Sequence, residues 1–347
     1  MQTPLTSSEA GVAKRTWGRV TSAQSIGIQL RASEKLTIIF LTYLSAAATF
    51  FRISVTQGLS IATLNLAASG VLALLGRFSA NRNAPRQAVL GDRQGGTSQP
   101  RWLGMSLTPK GGKSELLAVI RDWFPAIVIL LAYRESGLLG FADPTHRLDH
   151  LFVRWDHALL QNAWVLAALH FGAPWLQRYL EFCYSLCYPL VPLGLGTLYV
   201  LVARARRDPS RPLEAERMLD HFWTTVLLAL FTCYALFPLF PSTPPRVLFH
   251  DLPGPAVSPL FRGVNLWILG RYGIQSSVFP SGHVAAVTAV ALAVRAHWRR
   301  AGTLFAIAAV SVAVATVVGR YHYAADAVAG ALIGTAAFLI ASYIHKS

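Results

Sequence analysis

Apolar residues gather along this 347-residue chain into runs close to the 20 or so residues that a helix needs to cross a hydrocarbon layer, with polar or basic stretches between them. The runs cover 36–55, 59–76, 181–203, 221–240, 283–298, 301–319 and 324–344, with an eighth, less regular one at 122–140. In that eighth run Pro125 falls in the first turn, where its missing N–H is tolerated, and Arg134 and Glu135 fall near the far end, where long side chains snorkel towards water. The pattern predicts an all-α protein, a polytopic membrane helical bundle of about eight transmembrane helices. Ahead of 181–203, Leu151, Trp155, Leu159 and Leu160 recur at helical spacing while Arg154, Asp156, His157 and Gln161 take other faces, which predicts a helix lying in the membrane interface. Asp156 and His157 also invite a reading as a site, but neighbours on a helix diverge by about 100°, so the interfacial reading is preferred.

Composition agrees with a membrane protein. Apolar residues make up 53% and charged residues 14%, against roughly 25% charged in an ordinary soluble domain, which argues against a soluble enzyme. The net charge of +15 does not point to nucleic acid, because the basic residues are scattered between apolar runs instead of clustered on one domain. Cys183, Cys187 and Cys233 sit within apolar sequence and neither pair up as a disulfide framework nor form a zinc-type spacing. With the N-terminus inside, alternate loops carry 21 Lys and Arg on the inner side against nine on the outer, so both termini are expected in the cytoplasm.

Residues 1–35 read as a cytoplasmic N-terminal tail without the features of a cleaved secretory signal. Residues 36–115 read as a two-span addition with a basic, Gly- and Pro-containing cytoplasmic linker at 77–115, and 116–347 as a six-span core. High Ala and Arg content favours a bacterial plasma membrane.

Ionisable residues are costly at membrane depth, so their positions point to function. Three clusters fall on the outer side: Phe240-Pro241-Ser242-Thr243-Pro244-Pro245-Arg246, Phe279-Pro280-Ser281-Gly282-His283, and Gly319-Arg320-Tyr321-His322-Tyr323-Ala324-Ala325-Asp326. Each suits a phosphate. At Ser281, Gly282 and His283 a helix begins, and its free N–H groups and dipole favour an anion, with Gly282 permitting close approach. His322 and Asp326 stand four residues apart, one helical turn, so the carboxylate can hold one imidazole nitrogen as N–H and leave the other as a nucleophile. Arg246 offers a fork for phosphoryl oxygens after the stiff Pro244-Pro245 pair. Taken singly, each has an ordinary structural explanation as a helix cap, an interfacial histidine or a rigid loop. Their order and shared face make them a phosphoryl-transfer set.

In these residues the sequence resembles the type 2 phosphatidic acid phosphatase superfamily, helical lipid phosphatases and phosphotransferases that work without a metal. The Pro-Pro-Arg form of the first cluster and the His-Tyr-x-x-Asp of the third resemble most closely its inositol phosphorylceramide synthase-like branch. The resemblance covers roughly 120–345 and implies a six-span core. It implies that His322 forms a phosphohistidine, that Asp326 orients it and that His283 is the general acid. It also implies that Arg246, Ser281 and the Gly282 backbone hold phosphoryl oxygens, with no cofactor. Two positions depart from the family pattern: no Lys or Arg precedes Arg246 between Ala235 and Pro245, and Thr316 occupies the place of an arginine six residues before His322. Arg320 is the candidate to replace it.

Water as second acceptor makes a phosphatase and an alcohol makes a transferase, and the motifs do not discriminate between them. Acceptor choice is expected in 141–180 and 242–276. Trp155, Trp164, Trp175, Trp267 and Tyr272 are expected as interface anchors, which suits a lipid phosphate, phospholipid or prenyl diphosphate substrate. The rival reading is a lipid transporter or flippase with the same polar residues along its pathway, which predicts broken helices at mid-membrane. Spans six to eight carry their ionisable residues only at their ends, so the enzyme is preferred, ahead also of a silent scaffold.

Overall fold

A computed structural model of the protein describes residues 30–51, 53–92, 112–139, 148–160, 174–207, 212–250, 259–274 and 279–346. Among the described residues all regular structure is helical. Helix α1 spans Ala32–Phe50, α2 Val55–Asp92, α3 Gly112–Ser136, α4 Asp149–Leu160, α5 Pro174–Ser185 and α6 Leu190–Arg207. Then come α7 Pro212–Leu236, the single turn α8 Pro245–Leu248, α9 Pro259–Tyr272, α10 Gly282–His297, α11 Arg299–Val318 and α12 Ala324–Ile344. Four of these, α5, α7, α8 and α9, begin on proline, whose fixed φ and absent N–H suit the first helical position.

Among the described residues five helical stretches are long and apolar enough to cross a membrane: Val55–Phe78, Leu116–Ser136, Glu214–Leu239, Arg299–Val318 and Ala324–Ile344. A sixth is the pair Trp175–Ser185 and Leu190–Arg206, bent by 69° at its break. The 19-residue α1 and 16-residue α10 bring the apolar helical segments to the number that the hydropathy pattern predicts. The protein is an integral membrane helical bundle. The stretch Glu214–Leu239 is its centre, with 72% of its apolar window buried against 28% in the other four.

The N-terminal helices are fastened to the core by buried charge. Asp220 on α7 accepts the backbone N–H groups of Ala32 and Ser33 at 3.0 and 2.9 Å, capping α1 from another helix. Asp122, wholly buried on α3, receives Arg31 at 2.7 Å, Arg206 at 2.9 Å and the Tyr199 hydroxyl at 2.7 Å. Arg121 binds both oxygens of Glu34 in fork geometry.

Several local expectations change. α1 already begins at Ala32, with Ser33 and Glu34 buried, and α2 runs on to Asp92. The expected start of the third span at 122 moves back into α3, so Pro125 lies inside the helix and not in its first turn. Glu135 does not snorkel but is buried beside Asn65 of α2, whereas Arg134 next to it is exposed. The run 181–203 is not one straight helix: its apolarity is continuous, but Pro189 cannot continue the hydrogen-bond ladder. Trp155, Trp175, Trp267 and Tyr272 are exposed as interface anchors require, and Trp164 lies outside the described residues.

Candidate active site

The three polar clusters meet at one end of the bundle, where α7 ends and α10 and α12 begin. The first cluster leaves α7 through a 3₁₀ turn at Phe237–Leu239 and forms α8, which carries Arg246. The Arg246 N–H donates to the Arg320 carbonyl at 2.9 Å and its guanidinium Nη1 to the Tyr321 carbonyl at 3.4 Å, docking the first cluster on the third. Burial pushes the Arg246 pKa below the ordinary arginine value, so an anion arriving there would relieve a desolvated cation.

Ser281 is the N-cap of α10, its Oγ accepting from the Val284 N–H at 3.3 Å. Its own N–H donates to the Asp326 carbonyl at 3.0 Å, joining the second cluster to the third. That closeness depends on Gly330: a Cβ there would stand 2.5 Å from the Ser281 carbonyl oxygen.

In the third cluster the N–H groups of Tyr321 and His322 both donate to the Thr316 carbonyl, at 2.9 and 3.0 Å. Thr316 is fully buried with its hydroxyl bonded to Ala313, so the residue in the family's arginine position closes the end of α11. Arg320 adopts φ 59°, the left-handed region, and supplies its carbonyl to Arg246.

The histidines complete the geometry. His322 Nδ1 lies 3.3 Å from Asp326 Oδ2, which also accepts the Tyr323 N–H at 3.0 Å. With Nδ1 as the N–H, Nε2 keeps its lone pair and faces His283 Nδ1 at 3.4 Å. Arg246, Gly282, His283 and His322 line a cavity of about 530 Å³ whose lining also includes apolar and aromatic side chains of α3, α6, α7 and α9. Asp326, Ser281 and the Arg320 side chain do not belong to its lining. Among the described residues no group of three or more His, Cys, Asp or Glu is arranged to hold a metal.

Two supports lie beyond the residues that the sequence reading selects, although it raises Asp156 as a site residue before preferring an interfacial helix. On α4, Asp149 accepts the Thr243 N–H and hydroxyl at 2.6 and 2.8 Å, Phe152 stacks between Phe279 and Tyr323, and Asp156 accepts the Ala324 N–H at 2.8 Å. One face of α4 therefore touches all three clusters, because Asp149, Phe152 and Asp156 follow one another at helical spacing. Burial raises the Asp156 carboxyl to about 6, against the opposing effect of the Ala324 N–H. The second support is Glu181, which receives Arg262 at 2.8 Å, the Tyr321 hydroxyl at 2.6 Å and the Asn265 amide at 3.0 Å, while Arg262 also reaches the Gly319 carbonyl at 2.7 Å. An acidic residue at the head of an apolar run was the signal available for Glu181. Nothing local marks Arg262 or Asn265.

The arrangement brings together a carboxylate-backed imidazole able to act as a nucleophile, a second imidazole able to carry a proton and an arginine able to hold an anion. The PAP2 superfamily matches over residues 150–340, more than half the chain, and the protein belongs to that superfamily. No curated protein and no solved structure matches the chain. Membership supports a phosphatase-type activity on phosphoric esters and a membrane lipid substrate.

Proposed function

We propose that the protein removes or transfers the phosphoryl group of a lipid-linked phosphate, phosphodiester or diphosphate through a phosphohistidine on His322. The observation that carries this reading is the chain Asp326 Oδ2, His322 Nδ1, His322 Nε2, His283 Nδ1, with spacings of 3.3 and 3.4 Å at its two ends. His322 Nε2 attacks phosphorus, the bond to the leaving oxygen breaks, and His283 donates its proton to that oxygen. Arg246 and the N–H groups opening α10 hold the phosphoryl oxygens, Ser281 shapes that opening as its cap, and Asp326 balances the charge that His322 acquires. Arg320 contributes through its carbonyl contact with Arg246, and its side chain is a phosphate ligand only if it turns inward. Water or an alcohol then takes the phosphoryl group, and the Pro-Pro-Arg and His-Tyr-x-x-Asp forms favour head-group transfer of the inositol phosphorylceramide synthase type. The charge distribution favours cytoplasmic termini and a site on the outer face, and the high Ala and Arg content favours a bacterial plasma membrane. The order of apolar runs, the basic linker and the extent of the family motifs favour a six-span core at 116–347, preceded by the addition at 36–115 and the tail at 1–35.

The break after Ser185 is a feature that the transporter reading predicts. One experiment separates the two readings: phosphate release from a panel of lipid phosphates and diphosphates by detergent-purified protein with chelator present, wild type against His322→Ala. Release that disappears in the variant is the expected result. Release undiminished by His322→Ala would refute the nucleophile assignment. If the wild type releases nothing, a phospholipid donor with inositol as acceptor tests transfer.

A further inference from the structure

Part of the cavity lining, Tyr184, Cys187, Tyr188, Val191 and Pro192, comes from the broken fourth span. Backbone at the break is satisfied internally, with the Cys187 N–H on the Tyr184 carbonyl at 3.0 Å and the Leu190 N–H on the Leu186 carbonyl at 3.0 Å. Irregular backbone at membrane depth is tolerated where it lines a cavity, and here it turns Tyr184 and Tyr188 towards one. Tyr184 is 1% exposed, and among the described residues neither its phenol oxygen nor that of Tyr188 has a partner in hydrogen-bonding geometry, although the two are close enough to interact. Other tyrosines of the same cavity are used: the Tyr133 hydroxyl accepts the Ile274 N–H at 2.9 Å, and the Tyr321 hydroxyl donates to Glu181 at 2.6 Å. Phenylalanine would fill the positions of Tyr184 and Tyr188 without leaving buried hydroxyls unpaired, an arrangement that destabilises a protein unless a ligand completes it.

Both rings flank His283, at centroid distances of 5.8 and 5.9 Å. Tyr184 is also held in place, stacked on Tyr321 at 3.7 Å and 13°. We propose that Tyr184 and Tyr188 form a recognition subsite for a hydroxylated head group, a polyol or sugar alcohol, binding oxygens of the alcohol that accepts the phosphoryl group beside His283. The inference rests on the phosphohistidine reading. In the step it serves, an acceptor hydroxyl attacks phosphorus and gives its proton to His283. The new P–O bond forms as the P–N bond to His322 breaks, and the electron pair returns to the imidazole.

The test uses the full chain in detergent, charged from phosphatidic acid radiolabelled in its phosphate and chased with increasing inositol or glycerol. The reading is the split of label between phosphorylated polyol and inorganic phosphate, which does not depend on how fast the phosphoenzyme forms. The split is expected to saturate with polyol in the wild type and to fall about 5-fold in each of Tyr184→Phe and Tyr188→Phe, the size of one lost neutral hydrogen bond. Thermal unfolding confirms that both variants fold. A labelled protein whose split is the same in wild type and both variants, or that releases inorganic phosphate alone, overturns the subsite. A wild type that takes up no label from phosphatidic acid or from any other donor of the lipid panel overturns the phosphohistidine reading, and the subsite falls with it.

Discussion

Asp326→Asn removes one charge from the proposed catalytic chain with little change in shape. The carboxylate Oδ2 is 3.3 Å from His322 Nδ1, and the residue is wholly buried. When Nε2 becomes phosphorylated the imidazole gains positive charge, centred about 4 Å from the carboxylate. At an effective dielectric of about 20 that attraction amounts to about 4 kcal/mol. Its loss slows phosphoenzyme formation by about 10³-fold. The amide retains an acceptor for the Tyr323 N–H, so the start of α12 should hold, and the cavity and Arg246 are untouched. The expected result is therefore a fall of two to three orders of magnitude in kcat, with KM changed far less. Phosphate release from the best lipid substrate, measured with chelator and alongside thermal unfolding, checks it. A folded variant within about 3-fold of wild type would refute the charge-balancing role.

Three further outcomes follow from the packing. Asp122→Ala leaves Arg31 and Arg206 without their shared buried carboxylate and should destabilise the protein by about 3–5 kcal/mol, loosening α1 from α3; thermal unfolding and protease access at 30–51 measure it. Gly330→Ala places a Cβ 2.5 Å from the Ser281 carbonyl, so it should cost about 1–3 kcal/mol and depress activity, whereas Gly263→Ala, with nothing within 4 Å, should be neutral or stabilising. Asp156 binds its proton more tightly folded than unfolded, with a folded pKa of about 6 against an ordinary value of about 3.9, so the stability linked to it falls as pH rises through that window. Asp156→Asn cannot titrate, and the difference in Tm between variant and wild type should grow in the variant's favour from pH 4 to 7; a difference independent of pH would contradict the assignment.

Much of the bundle was legible because hydrocarbon imposes a simple rule: backbone polar groups must be satisfied within the segment, so apolar length alone predicts a helix. The runs 283–298, 301–319 and 324–344 lie within two residues of α10, α11 and α12 at every boundary. Hydropathy failed where continuous apolarity hid a break, at Leu186–Pro189, and where charges inside the fold neutralise one another. Asp122 and Glu34 read as boundary residues, yet both are buried, because their arginine partners come from other helices. The site shows the same division. The spacing of His322 and Asp326 is a property of one helical turn, so the sequence alone determined that one could orient the other. The 3.4 Å approach of His283, 39 residues earlier, depends on Gly330 letting α12 settle against the first turn of α10. Asp149, Asp156, Glu181 and Arg262 gain their meaning only from partners distant in the chain. Periodicity reports what a segment does to its own neighbours, and tertiary packing alone decides which distant groups a buried polar atom meets.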